Sequence, residues 1–438
     1  MSCQFNLKSL NAVQKNHIER ELTIKPIKKQ SNPFAKKKSY DFTQNNTCVE
    51  AFDIDISDKN SPKVYLPFSY AYHNLKITEN QNIMEADFSF EGSLLPRQKE
   101  IRDEVFEILN RTQSVLLSLY TGFGKTIFAI YIASKINLKT VVLCHRKIIM
   151  DQWLDSINKY MPDCKAKIVE GNELVDKDYD ICIMNVINVP KKHRNQYNHF
   201  GLVIVDECHT VCTQSFSQSL FYFYPKYVIG LSATPERSDG MDKIIEMFVG
   251  PEIVSRKMYR LFNVYKLSTG FEPNVQETRS GTLDWNKVIE SQGLDEDRNN
   301  LICKIVKYFS KRNILVLCKR KDHARILFEK LRKDGEEVDV FMDTQKTCNY
   351  NSRILIATYS KGGVGFDHPK LNMMITAADV LENFTQYLGR IFRTSDEFPI
   401  YVDLVDKFKP IYNHSLERIK ICKALGGEVK KFNQYFKL

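Results

Sequence analysis

Thr121, Gly122, Phe123, Gly124, Lys125 and Thr126 stand in a row just after a short apolar run, a combination suited to holding phosphate. The two glycines let backbone N–H groups turn inward around phosphate oxygens, and a following helix adds the partial positive charge of its N-terminus. Lys125 then reaches the outer phosphates, and the Thr126 hydroxyl can ligate Mg²⁺. Further on, Asp206 and Glu207 sit side by side after a second apolar run. Adjacent carboxylates at the end of a buried strand are costly unless a cation neutralises them, and Mg²⁺ carried by a nucleotide is the natural one. Asp206 would hold the metal through water, and Glu207 would polarise the attacking water. The cofactors expected are therefore ATP and Mg²⁺. Towards the other end of the chain, Arg390 and Arg393 are three apart. On a helix that spacing aims both at one face, which by itself is ordinarily just a solvated face.

The elements that must position these groups are legible around them. A strand over 114–119 and a helix over 127–136 flank the glycine loop. Upstream, a helix over 98–110 begins at Gln98, whose amide can read an adenine edge with one donor and one acceptor. Buried strands are expected over 140–144, 180–184, 201–205 and 227–231. A helix over 148–160 follows the first of them, seated by Gln152 and Trp153. Loops at strand C-termini in an open α/β sheet face the ligand crevice, which places His145, Arg146, Lys147 and Asn185 where they could grip a nucleic-acid phosphate. His209, Ser232 and Thr234 fall near the carboxylate pair, and the two hydroxyls can relay nucleotide state across the site. In the second half a strand over 314–318 leads to Lys319 and Arg320. Another over 353–357 leads through Thr358, Lys361, Gly362 and Gly363 to Gly365 and Asp367. Glycines there permit close approach of a phosphate chain.

At 438 residues and 43% hydrophobic content the chain can build two or three domains with full cores. No apolar stretch approaches the roughly 20 residues of a membrane span, and the start of the chain lacks a signal-peptide pattern. An intracellular, soluble protein is expected, the nucleus included, with no membrane partner. Eleven cysteines without a CxxC pair argue for reduced thiols rather than a disulfide frame or a zinc site. The net charge of +10 suits a polyanion. Residues 1–45 read as a basic, flexible arm, serving as a nucleic-acid arm, a nuclear address or a plain solvated tail. An accessory module over 46–88 follows, then a first domain over 89–255, a linker over 256–272 and a second domain over 273–438.

Taken in order, the stretch 121–126, the stretch 206–209 and the stretch 232–240, with Arg237 and Asp239, resemble the first motor domain of superfamily 2 helicases. The resemblance is to the branch containing XPB, phage UvsW and the late-transcription DNA helicases of poxviruses and other large cytoplasmic DNA viruses. The run from Thr358 to Asp367 is similar to motif V, and Gln386 to Arg393 to motif VI. This likeness implies an α/β fold of two tandem RecA-like domains with mostly parallel sheets, ATP at their interface and nucleic acid across both. It makes Lys125, Glu207, Gln386, Arg390 and Arg393 catalytic. Gly365 and Asp367 fall to the nucleotide, and Arg237 to the nucleic acid. The implied track is DNA, travelled 3′ to 5′ by a monomer working with transcription or replication proteins. An RNA track, or a binding platform without hydrolysis, is the alternative.

Overall fold

The computed structural model describes residues 1–24, 49–75, 80–213, 216–233, 242–278, 281–342, 345, 348–362, 368–393 and 398–431. By internal contacts the chain divides into two units, Met1–Arg256 and Lys257–Leu438.

The first unit opens with a small module of β1 (Ser2–Asn6), β2 (Thr23–Ile24), β3 (Val49–Glu50), β4 (Asp53–Asp55) and β5 (Lys63–Pro67). β5 lies between β1 and β4, antiparallel to both, and β2 pairs with β3. Residues 1–24 are thus ordered structure, which corrects the expectation of a loose arm over 1–45. The helix Ala12–Leu22 is started by a reciprocal cap between Asn11 and Gln14 and buries Ile18 and Leu22. The Ser2 N–H donates to the Phe223 carbonyl at 2.8 Å, and module and sheet share one apolar core. The lysines between 25 and 38 lie outside the described residues.

Among the described residues, seven parallel strands follow: β6 (Ser114–Leu119), β7 (Thr140–Cys144), β8 (Ala166–Val169), β9 (Ile181–Asn185), β10 (Leu202–Val205), β11 (Tyr227–Ser232) and β12 (Ile253–Arg256). Their order is β12-β6-β11-β10-β7-β9-β8. Because every strand runs the same way, Leu119, Cys144, Asn185, Val205 and Ser232 end at one edge. The module packs at the other edge, where the Tyr72 hydroxyl donates to the carbonyl of Arg111, just ahead of β6.

The second unit repeats the plan with β13 (Phe262–Ser268), β14 (Ile314–Cys318), β15 (Val338–Phe341), β16 (Ile354–Thr358), β17 (Met373–Thr376), β18 (Ile400–Val405) and β19 (Gly427–Lys431), again all parallel, in the order β15-β16-β14-β17-β18-β13-β19. Ile314, Val316 and Cys318 pack on one face and Leu315 and Leu317 on the other, as a sheet covered on both sides requires. The stretch 256–272 is not a linker. It contains β13, hydrogen-bonded between β18 and β19. Buried charge fastens this unit: Arg418 reaches Asp379 at 2.7 Å and Asp403 at 2.8 Å, and Arg298 reaches Asp406 at 2.9 Å.

Candidate active site

In the first unit the glycine loop leaves β6 at Leu119 and enters the helix Lys125–Ile136. Gly122 and Gly124 adopt φ of 90° and 92°, a region open to glycine but strained for other residues. The loop is braced from the helix Pro96–Thr112. Arg97 donates to the carbonyls of Gly122 at 2.9 Å and Phe123 at 3.1 Å, and Gln98 Nε2 donates to that of Gly124 at 3.1 Å. A planar trans peptide whose carbonyl faces that helix turns the next N–H the other way. The Gln98 amide is spanned by Leu95 N–H and the Gly124 carbonyl, so in this structure it holds the loop rather than presenting both ends to a base. Lys125 Nζ donates to the Leu119 carbonyl at 2.9 Å.

Asp206 follows β10, and its carboxylate is fixed on both oxygens. Trp153 Nε1 donates to Oδ2 at 2.8 Å and the Glu207 N–H to Oδ1 at 2.8 Å. Burial, and then the Glu207 carboxylate beside it, raise this carboxyl above the usual range, while the Trp153 hydrogen bond and the Lys125 charge oppose the rise. Glu207 sits at φ 49°, a left-handed conformation that costs of order 1–3 kcal/mol for a residue with a side chain. His209 Nδ1 lies 2.9 Å from Ser232 Oγ and 3.5 Å from Glu207 Oε2, so these three groups do meet. His145, expected at a nucleic-acid surface, is half-buried instead. Its ring approaches Thr210 Oγ1 at 3.2 Å and its carbonyl accepts from Asn185 at 3.4 Å, linking the ends of β7 and β9 to the helix after Glu207. Burial, with Arg146 and His209 near it, lowers the His145 ring to about 4. Arg146 and Lys147 are exposed, Lys147 paired with Glu170. Thr234 and Arg237 lie outside the described residues.

Thr126, in the first turn of the helix after β6, and Asp206, just after β10, offer a hydroxyl and a carboxylate, the sparse oxygen set that suits Mg²⁺ when phosphate and water complete its shell.

The second unit presents its own strand-end set. Lys319 and Arg320 are exposed after β14, and Arg320 contacts Asn286 Oδ1 at 3.3 Å. Thr358 closes β16 with its hydroxyl 3.1 Å from that of Ser360, and Lys361 donates to the Gln345 carbonyl at 2.8 Å. Gly362 also has a packing reason to lack a side chain: a Cβ there would meet Leu317 Cδ2 at 2.6 Å. Gly363, Gly365 and Asp367 lie outside the described residues. Gln386 is buried in the short helix Phe384–Leu388, whereas Arg390 falls in the 3-10 segment Gly389–Phe392, with Arg393 next. The arginines therefore share a face through 3-10 geometry, in which positions i and i+3 eclipse, rather than through an α-helix. Arg390 is buried and Arg393 half-buried, and burial lowers the pKa of the Arg393 guanidinium.

Arg97, without a role in the sequence reading, and Trp153, expected only to seat its helix, touch the glycine-loop carbonyls and the strand-end carboxylate respectively. Arg97 adjoins Gln98 in a helix start aimed at the loop, which was a usable signal; Trp153 gave none.

Tandem parallel α/β domains, the first with a lysine-bearing glycine loop and a strand-end Asp-Glu pair, define a motor of RecA-like build. The fold matches that of the solved structure "S. cerevisiae Dbp5 bound to RNA and ADP BeF3", with a TM-score of 0.53 at 14% identity, over 78% of this chain and 95% of that one. Residues 91–237 match the family described as "Type III restriction enzyme, res subunit". The chain is 36% identical over 396 residues to "Putative helicase 161L" of Invertebrate iridescent virus 6, covering 84% of this chain and 89% of the relative. It is 30% identical over 378 residues to "Putative helicase 055L" of Frog virus 3, covering 84% and 86%. Against "Putative ATP-dependent RNA helicase L396" of Acanthamoeba polyphaga mimivirus it is 26% identical over 420 residues, covering 90% and 80%. The chain belongs to the superfamily 2 helicases of large DNA viruses. No helix among the described residues is long and apolar enough to cross a membrane.

Proposed function

We propose that the chain is a nucleic-acid-stimulated ATPase that steps along DNA in the 3′ to 5′ direction. The observation that carries this reading is the convergence, at one edge of the first sheet, of the braced glycine loop, Lys125 and the Asp206 carboxylate held by Trp153. Lys125 and the loop N–H groups would bind the ATP phosphates, with Thr126 and Asp206 the holders of Mg²⁺, which supplies charge neutralisation at the β- and γ-phosphates. Glu207 accepts a proton from the attacking water. Its left-handed backbone aims the side chain away from the line of β10, toward His209 and Ser232, so loss of the γ-phosphate is relayed to the neighbouring strand end. In this reading Arg390 and Arg393 complete the same triphosphate. Exposed Arg146, Lys319 and Arg320 then hold the backbone of the track, together with Thr358, Lys361, Gly362 and Gly363. RNA is the second reading, favoured by the names of the mimivirus relative and of "Putative ATP-dependent RNA helicase QP509L" of African swine fever virus.

The test is ATP turnover measured with single-stranded DNA, duplex DNA, forked DNA and RNA at one fixed salt. DNA should stimulate best, and Lys125→Ala and Arg393→Ala should each lower stimulated turnover by about 10³-fold or more. Full turnover in Lys125→Ala would overturn the site, and stronger stimulation by RNA would move the track to RNA.

A further inference from the structure

A cavity of about 510 Å³ opens where the N-terminal module meets the first domain, within the size range of ligand sites. Its lining holds four lysine and arginine side chains, Lys63, Lys191, Lys192 and Arg194, together with His193, against a single carboxylate, Asp55. Two of these cations are engaged by the protein. Lys192 Nζ donates to the Gly171 carbonyl at 2.6 Å. Arg194 pairs with Asp53, its guanidinium 4.1 Å from the ring centroid of Tyr65 and 4.4 Å from that of Tyr222. The side chains of Lys63, Lys191 and His193 enter no hydrogen bond or ion pair among the described residues, and Lys191 and His193 are exposed. Asp55, the one lining carboxylate, stands across the strand pair from Lys63, which leaves an excess of positive charge in a concave wall that also contains tyrosine, the composition that grips a phosphodiester backbone.

The cavity is remote from the nucleotide loop. Residues 195–198 and 221–224 run just ahead of the first residues of β10 and β11, so the opening lies at the edge of the sheet opposite Lys125 and Asp206. The two edges are a strand length apart, roughly 13–20 Å. We propose that this cavity is a second nucleic-acid site, which holds backbone phosphates of a part of the substrate lying outside the strand-end track. Lys63 comes from the module and Lys191 and His193 from the motor domain, so a bound backbone bridges the seam between them. The proposal rests on the reading that the substrate is a nucleic acid.

The experiment replaces Lys191→Glu and His193→Glu together in the full chain and follows binding of a labelled forked DNA, and of the RNA of the same sequence, across a series of salt concentrations. The affinity should fall on the order of tenfold, and the slope of log Kd against log salt should drop by about 1 to 2, with turnover at saturating nucleic acid unchanged. Lys420→Glu, an exposed reversal in the second unit, should leave both quantities near the parent values. Parent-like affinity and slope in the double variant would overturn the site, as would an equal loss in Lys420→Glu. Polyglutamate or inorganic phosphate binding that responds to the double variant while nucleic acid does not would also overturn it, assigning the cavity to an acidic peptide or to free phosphate. Lys125→Ala, assayed alongside, separates the two readings. Its loss of turnover beside unchanged binding in the double variant sinks the cavity alone, whereas its full turnover sinks the motor reading whatever the cavity does.

Discussion

Trp153 shows how much a single donor can govern. Its indole N–H is one of two fixed partners of a buried carboxylate, and a hydrogen bond to a charged group contributes about 1.5–3 kcal/mol. Trp153→Phe keeps most of the ring volume and removes the donor. It should raise the Mg²⁺ concentration needed for half-maximal turnover by about tenfold while the fold persists, and an unaltered Mg²⁺ dependence would show that the contact only packs the helix. Lys125, Asp206 and Glu207 could be found in the sequence because their chemistry depends on neighbours a few positions away. Trp153 could not, because its partner lies 53 positions later and a tryptophan on an amphipathic helix normally marks core. His323 offers a pH readout in the second domain. Its Nε2 lies 2.9 Å from Asn299 Oδ1, and burial, then Arg298, lower the ring to about 3. An unfolded histidine takes up its proton near pH 6.5, so the stability of the neutral buried ring is complete above that pH and is lost as pH falls from there toward 3. Denaturant unfolding should lose about 1.4 kcal/mol per pH unit through this group once well below pH 6, and His323→Gln should remove that slope.

At the scale of elements, continuous apolar runs make β6, β7, β9, β10, β11, β14 and β16 legible in the sequence, whereas β17 and β18, just as buried, were missed. β8 and β15 escaped notice because they are short, half-exposed edge strands, and β13 because Asn263 and Lys266 interrupt its apolar run. β1 and the helix Ala12–Leu22 looked like a loose tail because few of their residues are apolar and β1's partner strand lies some sixty residues further on. The helix Lys409–Ala424 is fastened by Arg418, which joins it to β18 through Asp403 and to the turn after β17 through Asp379. Arg418→Met leaves two buried carboxylates without their guanidinium, Asp379 keeping His414 at 2.5 Å and Asp403 the hydroxyls of Tyr401 at 2.9 Å and Ser415 at 2.5 Å. A loss of about 3–5 kcal/mol in urea unfolding of the second domain is expected, and a loss below about 1 kcal/mol would mean that the network does not hold this helix.

For the whole molecule, one sheet plan occurs twice: the first unit carries the glycine loop and the Asp206–Glu207 pair, and the second carries Arg390 and Arg393. The N-terminal module is built on the first unit alone, sharing its core. Within that module Thr23 pairs with Glu50 and Ile24 with Val49 in antiparallel register, so the backbone departs at Ile24 and re-enters at Val49 across the mouth of a hairpin. Two residues, Asn-Gly, suffice to close such a mouth. Exchanging 25–48 for that pair should keep the unfolding free energy or raise it by up to about 2 kcal/mol, since each halving of a closed loop is worth about 0.6 kcal/mol. Disappearance of the module's cooperative melting would contradict this. The swap also strips out Lys25, Lys28, Lys29, Lys36, Lys37 and Lys38 in one step. The paired ends thus mark a splice point, where a reporter, a tether or a neutral spacer would enter between Ile24 and Val49.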